Sequence, residues 1–178
     1  MKMTKFEAYF HNLKNKKIAV LGLGVSNRPL VRLLLEFGCD VLGCDRTPRE
    51  KLDAEVLELE KAGCELRLGD TYLENLTGDL VFRTPGMRPD LPQLKKAMDG
   101  GSRLTSEMEA FFEVCPCPII AVTGSDGKTT TSSIIAEILR KAGKTVYLGG
   151  NIGHPLLAEA NDMKEDDLVV LELSSFQL

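Results

Sequence analysis

The apolar run Pro118 to Val122 passes almost at once into Gly124-Ser125-Asp126-Gly127-Lys128-Thr129-Thr130, and a helical pattern then continues from Lys128 to Ala142. No other stretch constrains the fold as strongly. A buried strand that turns through glycines directly into a helix commits the chain to an α/β unit, because the helix must pack back over the strand it leaves. Gly124 and Gly127 let the backbone turn tightly, so that successive N–H groups converge on one anion. The free N–H groups and partial positive charge of the helix N-terminus add to that attraction. At this spacing Lys128 is placed to reach terminal phosphates and the Thr129 hydroxyl to sit on Mg²⁺. The full pattern G-x-x-x-x-G-K-[ST] requires glycine at position 122, where this chain has Val122, so the loop is the shorter G-x-x-G-K-T. A glycine turn ahead of a surface lysine is the plain alternative. The flanking strand and helix, in the required order, favour a nucleotide phosphate, most simply that of ATP.

The same strand–turn–helix grammar runs through the first two-thirds of the chain. Phe6, Tyr9, Phe10 and Leu13 recur at helical spacing after Thr4 and predict a leading helix. Strands are expected over Lys17–Leu21, Asp40–Cys44, Cys64–Leu68 and Leu80–Arg83. A helix is expected from Pro29 to Phe37, and another from the capping box Thr47-Pro48-Arg49-Glu50 to Gly63. After the loop at 124–130, strands are expected over Thr145–Leu148 and Leu168–Leu173. This succession predicts a Rossmann-like parallel sheet followed, past the helix-breaking Cys115-Pro116-Cys117-Pro118, by the truncated start of a second α/β unit. The expected division is residues 1–115 and 116–178. The second unit has three strands where an open parallel sheet normally has about five or six.

Gly22-Leu23-Gly24-Val25-Ser26-Asn27 begins like the dinucleotide fingerprint G-x-G-x-x-G, and Asp45 closes the next strand about 20 residues on. Alone, this favours an NAD-dependent oxidoreductase. Asn27 in place of the third glycine weakens that reading, as does the second, phosphate-binding loop. A non-catalytic nucleotide-binding module is a further alternative.

Composition narrows the setting. With 43% hydrophobic and 27% charged residues the chain can build a core, and a net charge of −4 gives no global pull toward nucleic acid or an anionic membrane. No apolar run reaches the ~20 residues that span a bilayer. The N-terminal lysines have no apolar stretch or small-residue cleavage site behind them, unlike a signal peptide. The five cysteines lack metal-site spacing, and Cys39, Cys44 and Cys64 fall in or beside strands as small hydrophobes. Cys115 and Cys117, one proline apart, are expected to be structural as well. A reducing cytoplasm is the expected location. His11 and His154 carry no chemical signal of their own.

Val122 to Thr130 resembles the ATP loop of the Mur ligase and folylpolyglutamate synthase superfamily, with Asp126 where its members commonly carry Asn. Leu171-Glu172-Leu173-Ser174-Ser175-Phe176-Gln177-Leu178 resembles its D-glutamate-adding branch, and Gly149-Gly150-Asn151-Ile152-Gly153 resembles a family turn. The resemblance implies ATP-dependent ligation of D-glutamate to UDP-N-acetylmuramoyl-L-alanine through an acyl phosphate, in peptidoglycan precursor synthesis. Lys128 would neutralise charge during phosphoryl transfer, and Glu172 with Thr129 would hold Mg²⁺. Gly124, Ser125, Asp126, Gly127, Lys128, Thr129 and Thr130 would bind ATP. Val25 and Ser26 would approach the diphosphate, Asp45 with Arg46 the uridine, and Thr84-Pro85-Gly86 the uracil. Asn151 would meet the muramoyl substrate or the phosphate site. Relatives often have Thr then Arg where this chain has Arg46-Thr47. Ser106-Glu107-Met108-Glu109 and Phe111-Phe112 are expected to cap and pack. The resemblance further implies a second-metal site and a closing domain beyond Leu178, so these 178 residues alone are expected to bind the UDP substrate without turnover, as a monomer with no nucleic-acid or membrane partner.

Overall fold

The computed structural model describes residues 3–151 and 155–174. They form two parallel sheets. The first contains β1 (Lys17–Leu21), β2 (Asp40–Asp45), β3 (Glu65–Leu68), β4 (Leu80–Arg83) and β5 (Arg103–Ser106), in the order β3-β2-β1-β4-β5. The second contains β6 (Ile119–Val122), β7 (Val146–Gly150) and β8 (Leu168–Glu172), in the order β6-β8-β7. All neighbouring strands run parallel.

The leading helix α1 (Lys5–Leu13) starts at Thr4, whose hydroxyl accepts the Glu7 N–H while the Glu7 carboxylate accepts the Thr4 N–H. Helix α2 (Asn27–Glu36) follows β1 and carries Leu30, Val31 and Leu34 on its buried face. The expected helix from Thr47 to Gly63 is shorter. One 3₁₀ turn covers Arg49–Lys51, the chain extends at Leu52 and Asp53, and α3 spans Ala54–Lys61. The Thr47 box does not form because the Thr47 N–H is turned back to the Asp45 carboxylate at 2.8 Å, while Leu52 packs against the core. Asp53 precedes α3 but pairs with Arg28 instead of capping its own helix.

Neither α4 (Pro92–Asp99), with proline in its first turn, nor β5 was expected from the sequence. Ser106 and Glu109 form a reciprocal cap on α5 (Glu107–Val114). Helix α6 (Lys128–Lys141) follows the glycine loop, as expected.

Both faces of the first sheet are covered, and β1 shows it residue by residue. Ile18 and Val20 join a core shared with α1, α2, α3 and α5, whereas Ala19 and Leu21 join one built on α4. β4 divides in the same way, with Leu80 and Phe82 on one side and Val81 on the other. The period-2 alternation of a strand thus feeds two cores at once. In the second sheet, Val169 and Leu171 of β8 reach the same core as Phe10 and Phe111, while Val170 faces Ala136 of α6. All five cysteines are buried and free. Burial pushes Cys39 and Cys64 up to about 11 and Cys44 to about 12. Burial and the Cys115 thiol together push Cys117 up to about 12. These four therefore remain thiols at neutral pH, in keeping with a packing role.

Candidate functional site

The register of the second sheet brings three motifs to one level. Val122, Glu172 and Gly150 are direct neighbours across β6, β8 and β7, at the carboxyl ends of their strands. In open parallel sheets this edge is where ligands bind. Gly127, at φ 72°, turns the loop into α6. The Lys128 ammonium folds back over the loop and donates to the carbonyl oxygens of Gly124 at 2.8 Å and Ser125 at 3.4 Å. Ser125, Asp126 and Gly127 are exposed, so the loop's concave backbone is open to a ligand.

Glu172 sits behind this loop and is 2% exposed. The Thr129 hydroxyl donates to one of its carboxylate oxygens at 2.7 Å, and the Asn151 amide donates to the other at 3.2 Å. The Asn151 backbone N–H also donates to the Glu172 carbonyl at 2.8 Å. Gly150 makes this approach possible: at φ 99°, a Cβ there would fall 2.2 Å from the Glu172 carbonyl oxygen. Ser132, fully buried, returns its hydroxyl to the Lys128 and Thr129 carbonyls at 2.9 and 3.1 Å and fixes the first turn of α6.

A hydroxyl and a carboxylate at bonding distance form a hard oxygen pair of the kind that suits Mg²⁺. Among the described residues no group of three or more His, Cys, Asp or Glu side chains comes together. The pair therefore fits a cation whose remaining ligands come from water and a nucleotide, the usual situation for Mg²⁺, and not an all-protein cage.

The first sheet presents a second cluster. Asp45 is fully engaged by backbone: its carboxylate accepts the Leu23 N–H at 2.6 Å and the Thr47 N–H at 2.8 Å. It lines a cavity of about 240 Å³ with Gly24, Arg28 and Lys51. Gly22 has φ 82°, and a Cβ there would meet the Thr84 methyl at 2.7 Å, so the glycine turn and the Thr84-Pro85-Gly86 turn lie against each other. Val25 is 73% exposed. Arg46 points to solvent, 4.0 Å from Asp70, and does not join the cavity.

A second cavity, of about 130 Å³, lies between the two sheets, and Ser26, Pro85 and Asn151 all reach it. Asp45, Ser26, Asn151, Glu172 and Thr129 are thus connected in series, with Arg46 outside the series. The Asp45 cavity borders the glycine turn, the turn borders the middle cavity through Ser26, and Asn151 leads from that cavity to Glu172 and Thr129. Residues 152–154 and 175–178, which include His154 and the end of the Glu172 motif, lie outside the described residues.

Three residues with a part in this geometry were given no site role from the sequence. Asn27, 2% exposed, donates its amide to the Gly22 carbonyl at 2.8 Å and the Leu21 carbonyl at 3.3 Å. The side chain that breaks the third-glycine rule therefore holds the strand end in place. Arg28 donates to the Leu23 carbonyl at 3.0 Å and pairs with Asp53 and Glu55. Glu107 faces the middle cavity and accepts the Leu157 N–H at 3.1 Å. Burial raises its carboxyl from the ordinary 4.5 to about 7, against the opposing pull of that N–H. Asparagine at a glycine position was a legible clue for the first. The other two depend on partners distant in sequence.

Comparison with known proteins accords with this geometry. Residues 122–178 match the Mur ligase middle domain. Over 176 residues, 98% of its length, the chain is 50% identical to the UDP-N-acetylmuramoylalanine–D-glutamate ligase of Clostridium botulinum. The chain belongs to the Mur ligase family. A protein of the same name from Ruminiclostridium cellulolyticum is 51% identical over 175 residues. The chain spans 38% of the length of each of these relatives. The crystal structure of the UDP-N-acetylmuramate:L-alanyl-gamma-D-glutamyl-meso-diaminopimelate ligase from Neisseria meningitides superposes with a TM-score of 0.50 at 21% identity. It covers 88% of this chain and 52% of that one, a likeness of fold.

Proposed function

We propose that this chain supplies the substrate-holding and phosphate-loop parts of an ATP-dependent ligase that joins D-glutamate to UDP-N-acetylmuramoyl-L-alanine in peptidoglycan precursor synthesis. The observation that carries this reading is the linked path from the Asp45 cavity through Ser26 to Asn151, Glu172 and Thr129. A substrate with a nucleotide at one end and a carboxylate at the other needs such a path. The relatives' names supply the chemistry of its two ends.

In this reading residues 1–115 are the substrate-binding domain and residues 116–178 the first part of the ATP-binding domain. Asp45 fixes the glycine turn, with the uridine held beside it and Arg46 free to swing in from solvent. The backbone at Val25 and Ser26 receives the diphosphate, and Thr84-Pro85-Gly86 backs the uracil. Asn151 stands at the muramoyl end. Gly124 to Thr130 wraps the ATP phosphates, and Lys128 leaves the loop carbonyls to meet them. Thr129 and Glu172 are the protein's ligands for Mg²⁺. When bound, ATP supplies the phosphoryl group that activates the substrate carboxylate, and Mg²⁺ neutralises charge. The protein's own contribution is positioning and a preorganised field. The free, buried cysteines suit a reducing cytoplasm.

Calorimetric titration of the chain with UDP-N-acetylmuramoyl-L-alanine, ATP and NADH tests the reading. The muramoyl ligand is expected to bind and NADH to give no heat. Binding of NADH with no response to the UDP ligand would overturn it.

A further inference from the structure

The cavity of about 130 Å³ between the sheets is walled on one side by Ser26, Asn27, Pro85 and Glu107 and on the other by Gly150 and Asn151. Glu107 is the first residue of α5 and belongs to the segment that leaves the first sheet. Its carboxylate reaches 50 positions along the chain to the N–H of Leu157, in the 3₁₀ turn Leu157–Glu159. That turn follows the Gly-Gly-Asn segment and packs on α2 and α5. Leu156 and Leu157 are each 1% exposed and lie in the core shared with Phe111. Helix α5 needs no carboxylate at this position, because its cap is already supplied by Ser106 and Glu109. A partly buried carboxyl in an apolar joint is costly unless it is bonded, and this one is bonded across the joint and not within its own helix. Only one of its oxygens has a partner among the described residues.

We propose that Glu107 is a positioning residue for the muramoyl arm of the substrate: by holding the Leu157 N–H it sets the distance between the glycine turn at 22–26 and the turn at Asn151. The proposal rests on the ligase reading above. The tether itself does not, since it is a contact between two parts of this chain. In that reading UDP alone touches only the first sheet, so its affinity is independent of that distance, whereas a ligand that crosses the cavity is sensitive to it.

The test compares the chain with Glu107→Gln and Glu107→Ala. Glutamine keeps a carbonyl oxygen that accepts the Leu157 N–H, and alanine does not. For each protein the affinities for UDP and for UDP-N-acetylmuramoyl-L-alanine are measured, together with hydrogen exchange at the Leu157 amide. With alanine, the preference for the muramoyl ligand over UDP is expected to fall roughly tenfold, the scale of one lost hydrogen bond. UDP affinity should stay constant, Leu157 exchange should quicken, and glutamine should restore both properties. A parallel loss of UDP affinity would reveal a merely structural residue and overturn the proposal. An unchanged preference, or unchanged Leu157 exchange, in the alanine variant would overturn it equally. Equal affinity of the unmodified chain for the two ligands would instead sink the ligase reading, and the exchange measurement would then decide the tether by itself.

Discussion

Single residues set the electrostatics of the site. Asp126 is exposed within a loop that otherwise offers only donors to an anion, and its carboxylate opposes the attraction of Lys128 and the α6 N-terminus. Asp126→Asn is therefore expected to tighten ATP binding about two- to fivefold, with the gain shrinking as salt is raised, measured by titration at two ionic strengths. Glu107 has the opposite character, being costly to ionise. The folded protein keeps its proton up to about pH 7, while the unfolded chain releases it near 4.5. Between those values the native state binds more protons, so raising the pH across the window lowers stability. Glu107→Gln should flatten this fall and leave the protein more stable than the parent above pH 7, by about 1–3 kcal/mol. Denaturant melts at pH 5 and pH 8 would check it. A parent that gains stability over that interval relative to the variant contradicts the burial assignment.

At the scale of elements, the join of β7 to β8 is the most demanding. Gly150→Ala would put a methyl group into the Glu172 carbonyl and require a left-handed φ of alanine. The expected loss is about 2–4 kcal/mol of stability, together with Mg²⁺-dependent nucleotide binding, because Asn151 and Glu172 shift with it. Thermal melting and titration with and without Mg²⁺ measure the two effects. Sequence made this region legible because β7 and β8 are mainly apolar runs ending at glycine and acid, and β6 is an apolar run with Gly124 two residues beyond its end. It made β5 illegible: in Arg103-Leu104-Thr105-Ser106 three of four residues are polar, and among the described residues the strand lies at the sheet edge, paired with β4 alone. Helix α4 shows only Leu94 and Ala97 as buried apolar residues, too few to display a period. The capping box at Thr47 satisfied the local rule but lost to Asp45, whose need for backbone donors comes from tertiary structure. Within the site, the loop and the strand-end acids were readable from spacing. Glu107 was read as part of a cap, since its partner lies 50 residues away.

For the whole molecule the decisive fact is that the larger core does not stop at the boundary between sheets. Phe10, Leu34 and Phe111 from the first part and Leu157, Val169 and Leu171 from the second belong to one cluster. The described residues should accordingly unfold in one transition, with probes in either sheet giving the same midpoint. Leu171→Ala, at a fully buried site, is expected to cost about 2–5 kcal/mol and to lower both probes together. A variant that melts the second sheet first while leaving the first at its parental midpoint would contradict a shared core.

That sharing also has a consequence in time. A ribosome delivers α5 well before β8, and at roughly 5–20 residues per second the segments that cover Met108, Phe111 and Val114 arrive seconds later. Until Leu157 and Leu171 emerge, a finished first sheet carries a bare apolar patch on the nascent chain. The patch is a natural foothold for a chaperone and a weak point for aggregation if synthesis stalls between residues 114 and 157.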